Sequence, residues 1–262
     1  MKTIASRQNP LVARCRAVAH NEEDGFILLD GPHLVGEALA AGLTIEQTIV
    51  AEADVSRADV APLIARCERD GIPIAAATSM VMSAVSPVRS SSAIVAIAVR
   101  PAEPADEPFA APNALVVIAC DLQDPGNAGA IVRVAEAAGA TALVVAGPSA
   151  DPFGWKALRG SMGSALRLPI AVHADALRAV ARAREHGCRI VATVPRSGRS
   201  LFDADLTGSL AVLIGGEGAG LPAALIDAAD VRVTIPMTPP VESLNAAVTA
   251  ALILYEAKRQ RR

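Results

Sequence analysis

Three blocks in the second half of the chain carry the residue types that could do chemistry. In Asp121-Leu-Gln-Asp-Pro-Gly-Asn-Ala-Gly-Ala-Ile-Val-Arg133, an amide (Asn127) precedes a guanidinium (Arg133) on what reads as one helix. Leu213-Ile-Gly-Gly-Glu-Gly-Ala-Gly-Leu-Pro222 sets a single carboxylate, Glu217, among glycines. Ile235-Pro-Met-Thr-Pro-Pro-Val-Glu-Ser-Leu-Asn245 ends in a hydroxyl and an amide, Ser243 and Asn245. An amide donates and accepts, a carboxylate accepts, and a guanidinium donates while staying cationic. Each block follows a short apolar run (Leu115 to Cys120, Leu210 to Ile214, Val231 to Ile235) and leads into a helical pattern. In an α/β sheet these are the strand ends where ligands bind, so the three loops are expected to form one composite site.

Each residue also has a plainer explanation. At about 100° per residue, Ile131, Ala135 and Ala138 share a helix face and Arg133 points away from it, which suits a surface ion pair with Glu136. Asp124 to Asn127 is turn chemistry, with the helix from Ala128 to Ala138 closed by Gly139. The Gly-rich block fits a turn that holds no ligand, and its spacing is wrong for a dinucleotide fingerprint. Ser243 fits an N-cap. Asn245, read as lying in the first helical turn, is less easily explained by structure, so its amide is a candidate for serving a ligand.

The elements that must position these groups fall into two parts. The stretch Pro101 to Pro112 is rich in proline and acid and reads as a linker (101–112). Before it, strand-like runs (Phe26 to Leu29, Ile45 to Val50, Ile72 to Ala75, Ala93 to Val99) alternate with helical ones, giving a small α/β domain over residues 1–100. After it, residues 113–262 offer six strand candidates: Leu115 to Cys120, Ala142 to Ala146, Leu168 to Val172, Arg189 to Thr193, Leu210 to Ile214 and Val231 to Ile235. Helical patterns between them imply a largely parallel sheet covered on both faces.

Composition narrows the class. Hydrophobic content of 52% in 262 residues is ample for a buried core. No apolar run approaches the ~18 residues of a membrane span, and the first residues lack a signal-peptide core, so a cytoplasmic protein is expected. Cys15, Cys67, Cys120 and Cys188 form no CxxC pair and read as packing residues; no metal site is expected. Net charge is −3, yet the first twenty residues hold Lys2, Arg7, Arg14 and Arg16 with no acid, and the last few add Lys258, Arg259, Arg261 and Arg262. These runs are either solvated surface or phosphate contacts. Aromatic content of 2% disfavours a single-strand binder built on stacking platforms.

The ordered motifs Asn127-x5-Arg133, Gly-Gly-Glu-Gly-x-Gly-Leu-Pro and Ile-Pro-Met-x6-Ser-Leu-Asn resemble those of the SpoU (TrmH-type) class of SPOUT RNA methyltransferases. The likeness covers the second domain and includes Asp151 to Gly163 and Arg167-Leu-Pro169. Ser6 to Val12 and Asp30 to Leu39 look like the ribosomal-protein-like substrate-binding domain of the rRNA-directed members. The resemblance implies a trefoil-knotted α/β domain that binds S-adenosyl-L-methionine, in a homodimer whose active site borrows residues across the interface. By motif position, Gly215, Ile235 and Leu244 line the cofactor site, while Asn127, Arg133, Glu217, Ser243 and Asn245 match catalytic and RNA-positioning residues. Thr238-Pro239-Pro240 departs from the pattern: many members carry glycine in that loop, and proline stiffens it and removes donors.

On that resemblance the expected reaction is 2'-O-methylation of ribose in rRNA. Arg133, held by Glu217 and Asn127, would activate the hydroxyl or stabilise its developing charge. Arg7, Arg14 and Arg16 are the expected phosphate contacts. The alternatives are a tRNA substrate, an RNA-binding factor that keeps the fold without turnover, and a nucleotide-dependent oxidoreductase.

Overall fold

The computed structural model describes residues 1–88, 91–104, 108–173 and 175–261. In chain order, the first 102 residues form β1 (Lys2–Ile4), α1 (Pro10–Ala19), β2 (Phe26–Asp30), α2 (Pro32–Ala40), β3 (Ile45–Ala51), α3 (Ala61–Arg69), β4 (Ile74–Ala77), α4 (Ser79–Val85) and β5 (Ile94–Val99). Then follow β6 (Leu115–Cys120), α5 (Pro125–Ala138), β7 (Ala142–Ala146), α6 (Trp155–Ser161), β8 (Ile170–His173), α7 (Ala176–Glu185) and β9 (Arg189–Thr193). The chain closes with β10 (Arg199–Ser200), β11 (Leu210–Gly215), α8 (Ala223–Asp227), β12 (Val231–Thr234) and α9 (Ala246–Gln260).

The chain divides into two units. Unit 1 holds Met1–Ala102 and Phe153–Arg167; unit 2 holds Glu103–Pro152 and Leu168–Arg262. The sequence-based division gave 113–262 as one continuous domain, whereas Phe153–Arg167 groups with unit 1. Within that unit, Arg159 Nη1 donates to Asp30 Oδ2 at 2.8 Å, Arg167 pairs with Glu37, and His33 Nε2 lies 3.2 Å from the Met162 carbonyl oxygen. Such ties are invisible to periodicity because they join positions far apart in the chain. The expected linker also does more than span: Phe109 is 1% exposed and packs into the unit 2 core with Ala114, Val116 and Cys188.

Unit 1 is a five-stranded mixed sheet in the order β1-β4-β3-β5-β2, with β5 antiparallel to both β2 and β3. Unit 2 is a seven-stranded sheet, β10-β12-β9-β11-β6-β7-β8, in which all six neighbouring pairs are parallel among the described residues. The six expected strands are all present and a seventh corrects the count. That strand, β10, has two residues, too few to show alternation, and exists through its register with Val233 and Thr234 of β12. Two expected strands start later than read. β4 begins after Pro73 and β8 after Pro169, because proline has no N–H for the ladder and stands just outside it. Both prolines still accept through their carbonyls, from Thr48 and Leu143.

β6, β7, β9 and β11 are apolar along nearly their whole length and buried on both faces, as a parallel sheet requires. β6 and β11 lie side by side at its centre, so their exit loops are neighbours. α5 and α9 pack against each other. Two sets of bonds fix α9 far from its start. Arg261 donates to the carbonyls of Asn113 (2.8 Å), Ala114 (3.1 Å), Leu206 (3.3 Å) and Gly208. Gln260 Nε2 donates to the Ala204 carbonyl at 2.9 Å, and its Oε1 accepts from Leu206 N at 2.8 Å.

The basic tail is thus used internally: Lys258 donates to Ala137 O, Arg259 pairs with Glu256, and Arg261 holds backbone carbonyls. Desolvation lowers the pKa of Arg261, as expected for a guanidinium set among carbonyls without a carboxylate. Among the described residues no helix is long and apolar enough to cross a membrane.

Candidate active site

A 560 Å³ cavity opens at the carboxyl ends of the central strands of unit 2. Four segments wall it: Thr193–Pro195 after β9, Ile214–Leu221 after β11, Val233 to Met237 at the end of β12, and Ser243–Ala246 leading into α9. Its size falls in the range of small-molecule and cofactor sites, roughly 300–1,000 Å³. Gly215, Ile235 and Leu244, singled out in the sequence, all line it, as do Glu217, Ser243 and Asn245. Sequence reasoning missed the wall after β9 and Met237. The signal that could have found the first was its position just past a parallel strand.

The glycines have a steric cause. A Cβ on Gly216 would overlap the backbone carbonyl of Asp121, and one on Gly215 would overlap the Gly220–Leu221 backbone. The loops after β6 and β11 therefore touch through main chain, and a Gly216–Gly220 bridge folds the second loop back on itself.

The three blocks meet in one chain of hydrogen bonds. α5 begins at Pro125, earlier than expected, because Asp124 caps it: Oδ1 accepts from Asn127 N at 2.9 Å, with proline at the first helical position. Asn127 is thereby fixed in the first turn, where its Nδ2 donates to Glu217 Oε1 at 2.6 Å. Its Oδ1 accepts from Asn245 Nδ2 at 2.9 Å. Asn245 is not inside a helix: it is the N-cap of α9, and its Oδ1 accepts from Ala247 N (2.8 Å) and Val248 N (3.3 Å). This corrects the reading of Ser243 as the cap; Ser243 lies in the loop before it and lines the cavity.

Capping also sets the direction of the whole chain. The helix N-terminus demands an acceptor, so the oxygen of Asn245 faces α9 and its nitrogen faces Asn127. The oxygen of Asn127 must then receive that donor, leaving its nitrogen for Glu217. Glu217 Oε2 accepts separately from Gln123 N at 3.0 Å. Both carboxylate oxygens are therefore engaged. Burial pushes the Glu217 carboxyl up, but the bonds from Asn127 and the backbone outweigh it, so its pKa is lowered from the ordinary value of 4.5. By linkage, stability drawn from these bonds is complete above that value and is lost as pH falls through the lower folded value.

Asn245 variants separate the two roles of its amide. Asn245→Ser is expected to keep the cap, with melting temperature near that of the parent, and to lose the bond to Asn127. Asn245→Ala is expected to lose both, at about 1 kcal/mol for the cap, measured by denaturant unfolding.

The expectation that Glu217 and Asn127 hold Arg133 is not met within the chain. Arg133 is exposed on α5 and makes no bond to either residue. It lies six residues beyond Asn127, which carries it about 9 Å along the helix and onto another face. The N-terminal arginines divide as well. Arg14 lies between Glu23 (2.8 Å) and Glu46 (2.7 Å), so a phosphate would have to displace two carboxylates to reach it. Arg7 and Arg16 donate through Nε to the carbonyls of Met80 (3.2 Å) and Ala84 (3.0 Å) on α4, and both side chains are exposed.

Comparison with known proteins sets this geometry in context. Residues 114–255 match the model of the SpoU rRNA Methylase family. The chain belongs to the SpoU rRNA methylase family. Its relatives include the 23S rRNA (guanosine(2553)-2'-O)-methyltransferase RlmP of Bacillus subtilis, 29% identical, with 98% of this chain and 100% of that protein aligned. A solved RNA 2'-O ribose methyltransferase superposes with a TM-score of 0.86 at 31% identity, covering 98% of both chains. An AdoMet-bound rRNA methyltransferase from Sinorhizobium meliloti gives a TM-score of 0.86 at 28% identity, over 98% of this chain and 97% of that one. The SpoU family match spans all four segments of the cavity wall.

Proposed function

We propose that the protein is an S-adenosyl-L-methionine-dependent methyltransferase that modifies a ribose 2'-hydroxyl of ribosomal RNA. The observation that carries this reading is the Asn245–Asn127–Glu217 chain at a cofactor-sized cavity, which joins three family motifs from distant parts of the sequence. Relatives named as 23S rRNA 2'-O-methyltransferases and an AdoMet-bound structural neighbour support the reaction and the donor.

The cavity suits that donor. The Gly215–Gly220 loop forms one wall of it, Ile235, Met237 and Leu244 offer apolar surface, and Glu217 adds a negative charge that complements a sulfonium. When bound, the donor supplies a methyl group already activated for transfer. The chain must then orient the ribose and ease loss of a proton from its 2'-oxygen. Glu217 has both oxygens occupied by donors and acts as an orienting group. Arg133 supplies a cation for the developing oxyanion.

Among the described residues the Arg133 side chain has no hydrogen-bond or ion-pair partner, and on the neighbouring α9 Val248, Leu252 and Tyr255 are 47%, 42% and 51% exposed. Their spacing makes one apolar stripe, which supports a homodimer in which Arg133 serves the cavity of the second copy. In this reading unit 1 is the ribosomal-protein-like substrate-binding domain, with Arg7 and Arg16 on RNA phosphates. Unit 2 carries the trefoil knot of the SPOUT fold, and the enzyme works in the cytoplasm, where rRNA is its partner.

The deciding experiment incubates the protein with methyl-labelled donor and separate rRNA and tRNA pools, then digests with alkali. Label retained in alkali-resistant dinucleotides of rRNA is the expected result. Label in tRNA alone would move the substrate; label on bases, or none, would overturn the activity.

A further inference from the structure

The structure assigns Gln123 as a positioning residue: its side chain locks the loop after β6 so that its own backbone N–H holds Glu217 in place. This rests on the methyltransferase reading. Glu217 projects from a glycine-rich loop, where an exposed carboxylate would otherwise sample several rotamers. Among the donors that hold it is the main-chain N–H of Gln123, 3.0 Å from Oε2. A backbone donor is only as well aimed as its peptide.

That peptide is clamped from the β7 side. Gln123 Nε2 donates to the Pro148 carbonyl at 2.6 Å and reaches the Asp121 carbonyl at 3.4 Å. Next to it, Leu122 N donates to Ser149 Oγ at 3.0 Å, and Ala150 N donates to Leu122 O at 2.6 Å. Ser149 Oγ in turn donates to Ala146 O at 2.8 Å. The loops after β6 and β7 are thus zipped together, and the side chain of Gln123 is the outermost tooth, exposed to solvent and absent from the cavity wall. Removing its donor leaves the fold intact and frees the peptide that aims at Glu217. The other charged groups on this loop are Asp121 and Asp124, both acids, so no cation replaces the lost donor.

The test compares Gln123→Met, which keeps the length without a donor, with Gln123→Lys, which keeps a donor. Donor affinity is read by calorimetry, kcat and RNA KM by steady-state turnover, and the acid limb by a pH–rate profile. For Gln123→Met we expect kcat to fall about tenfold with RNA KM and donor affinity unchanged, and the acid limb to move to higher pH as the loosened backbone N–H of residue 123 holds the Glu217 carboxylate less well. Gln123→Lys is expected to recover most of the rate. Parental kcat and acid limb in Gln123→Met would overturn the assignment, as would equal losses in both variants or a change confined to KM. Absence of donor binding by the parent protein would instead sink the functional reading, so the two failures are distinguishable.

Discussion

Arg133→Ala is expected to lose methyl transfer by a factor on the order of 10²–10³ or more while binding S-adenosyl-L-methionine with parental affinity. The side chain is exposed on α5, bonds to none of the described residues and is absent from the cavity wall, so its removal disturbs neither the fold nor the donor site. Single-turnover kinetics beside calorimetry would check both halves. A mixing experiment extends the prediction to the dimer. If Arg133 serves the partner's cavity, chains lacking it regain activity when mixed with chains whose cavity is blocked. Random pairing at equal amounts gives roughly a quarter of the parental sites. A guanidinium acting within its own chain gives no recovery.

Gly216→Ala provides the blocked cavity and is itself the second large effect. The added methyl would overlap the carbonyl of Asp121, which is main chain and cannot rotate away. The loops after β6 and β11 must separate, at about 1–3 kcal/mol, which lowers the melting temperature by roughly 2–10 °C. Donor binding is expected to be lost, since Gly215, Gly216 and Glu217 form one wall of the cavity. Gly218 is the control. Its φ of +87° favours glycine, but a Cβ there meets nothing within 4 Å, so Gly218→Asn is expected to bind the donor nearly as well as the parent. Calorimetry and thermal unfolding of the two variants would check the contrast.

The strand ends were readable because a parallel sheet writes its buried strands as unbroken apolar runs, and Leu115–Cys120 and Leu210–Gly215 are such runs. Glycine between such a strand and a helix then marks a loop that must come close to something. What the sequence hid was set by tertiary partners. Ser243 looked like the cap because serine is a favoured cap, yet the backbone enters the helix two residues later, at Asn245. Arg14 looked like a phosphate ligand because no acid stands near it in sequence; Glu23 and Glu46 reach it from beyond the helix. β1, β10 and α4 are too short to show a period, and they form because neighbours pair with or pack on them. Gln123 gave no signal, since its action passes through a backbone N–H that every non-proline residue possesses.

α9 is anchored at both extremities, about 22 Å apart by its length: Asn245 ties one to Asn127, and Arg261 ties the other to the entry turns of β6 and β11. Such a doubly fastened rod transmits displacement instead of absorbing it. A lesion at Arg261, on the opposite rim of the sheet, would therefore be felt as misalignment of an amide it never touches, and a substitution remote from the chemistry would mimic an active-site defect.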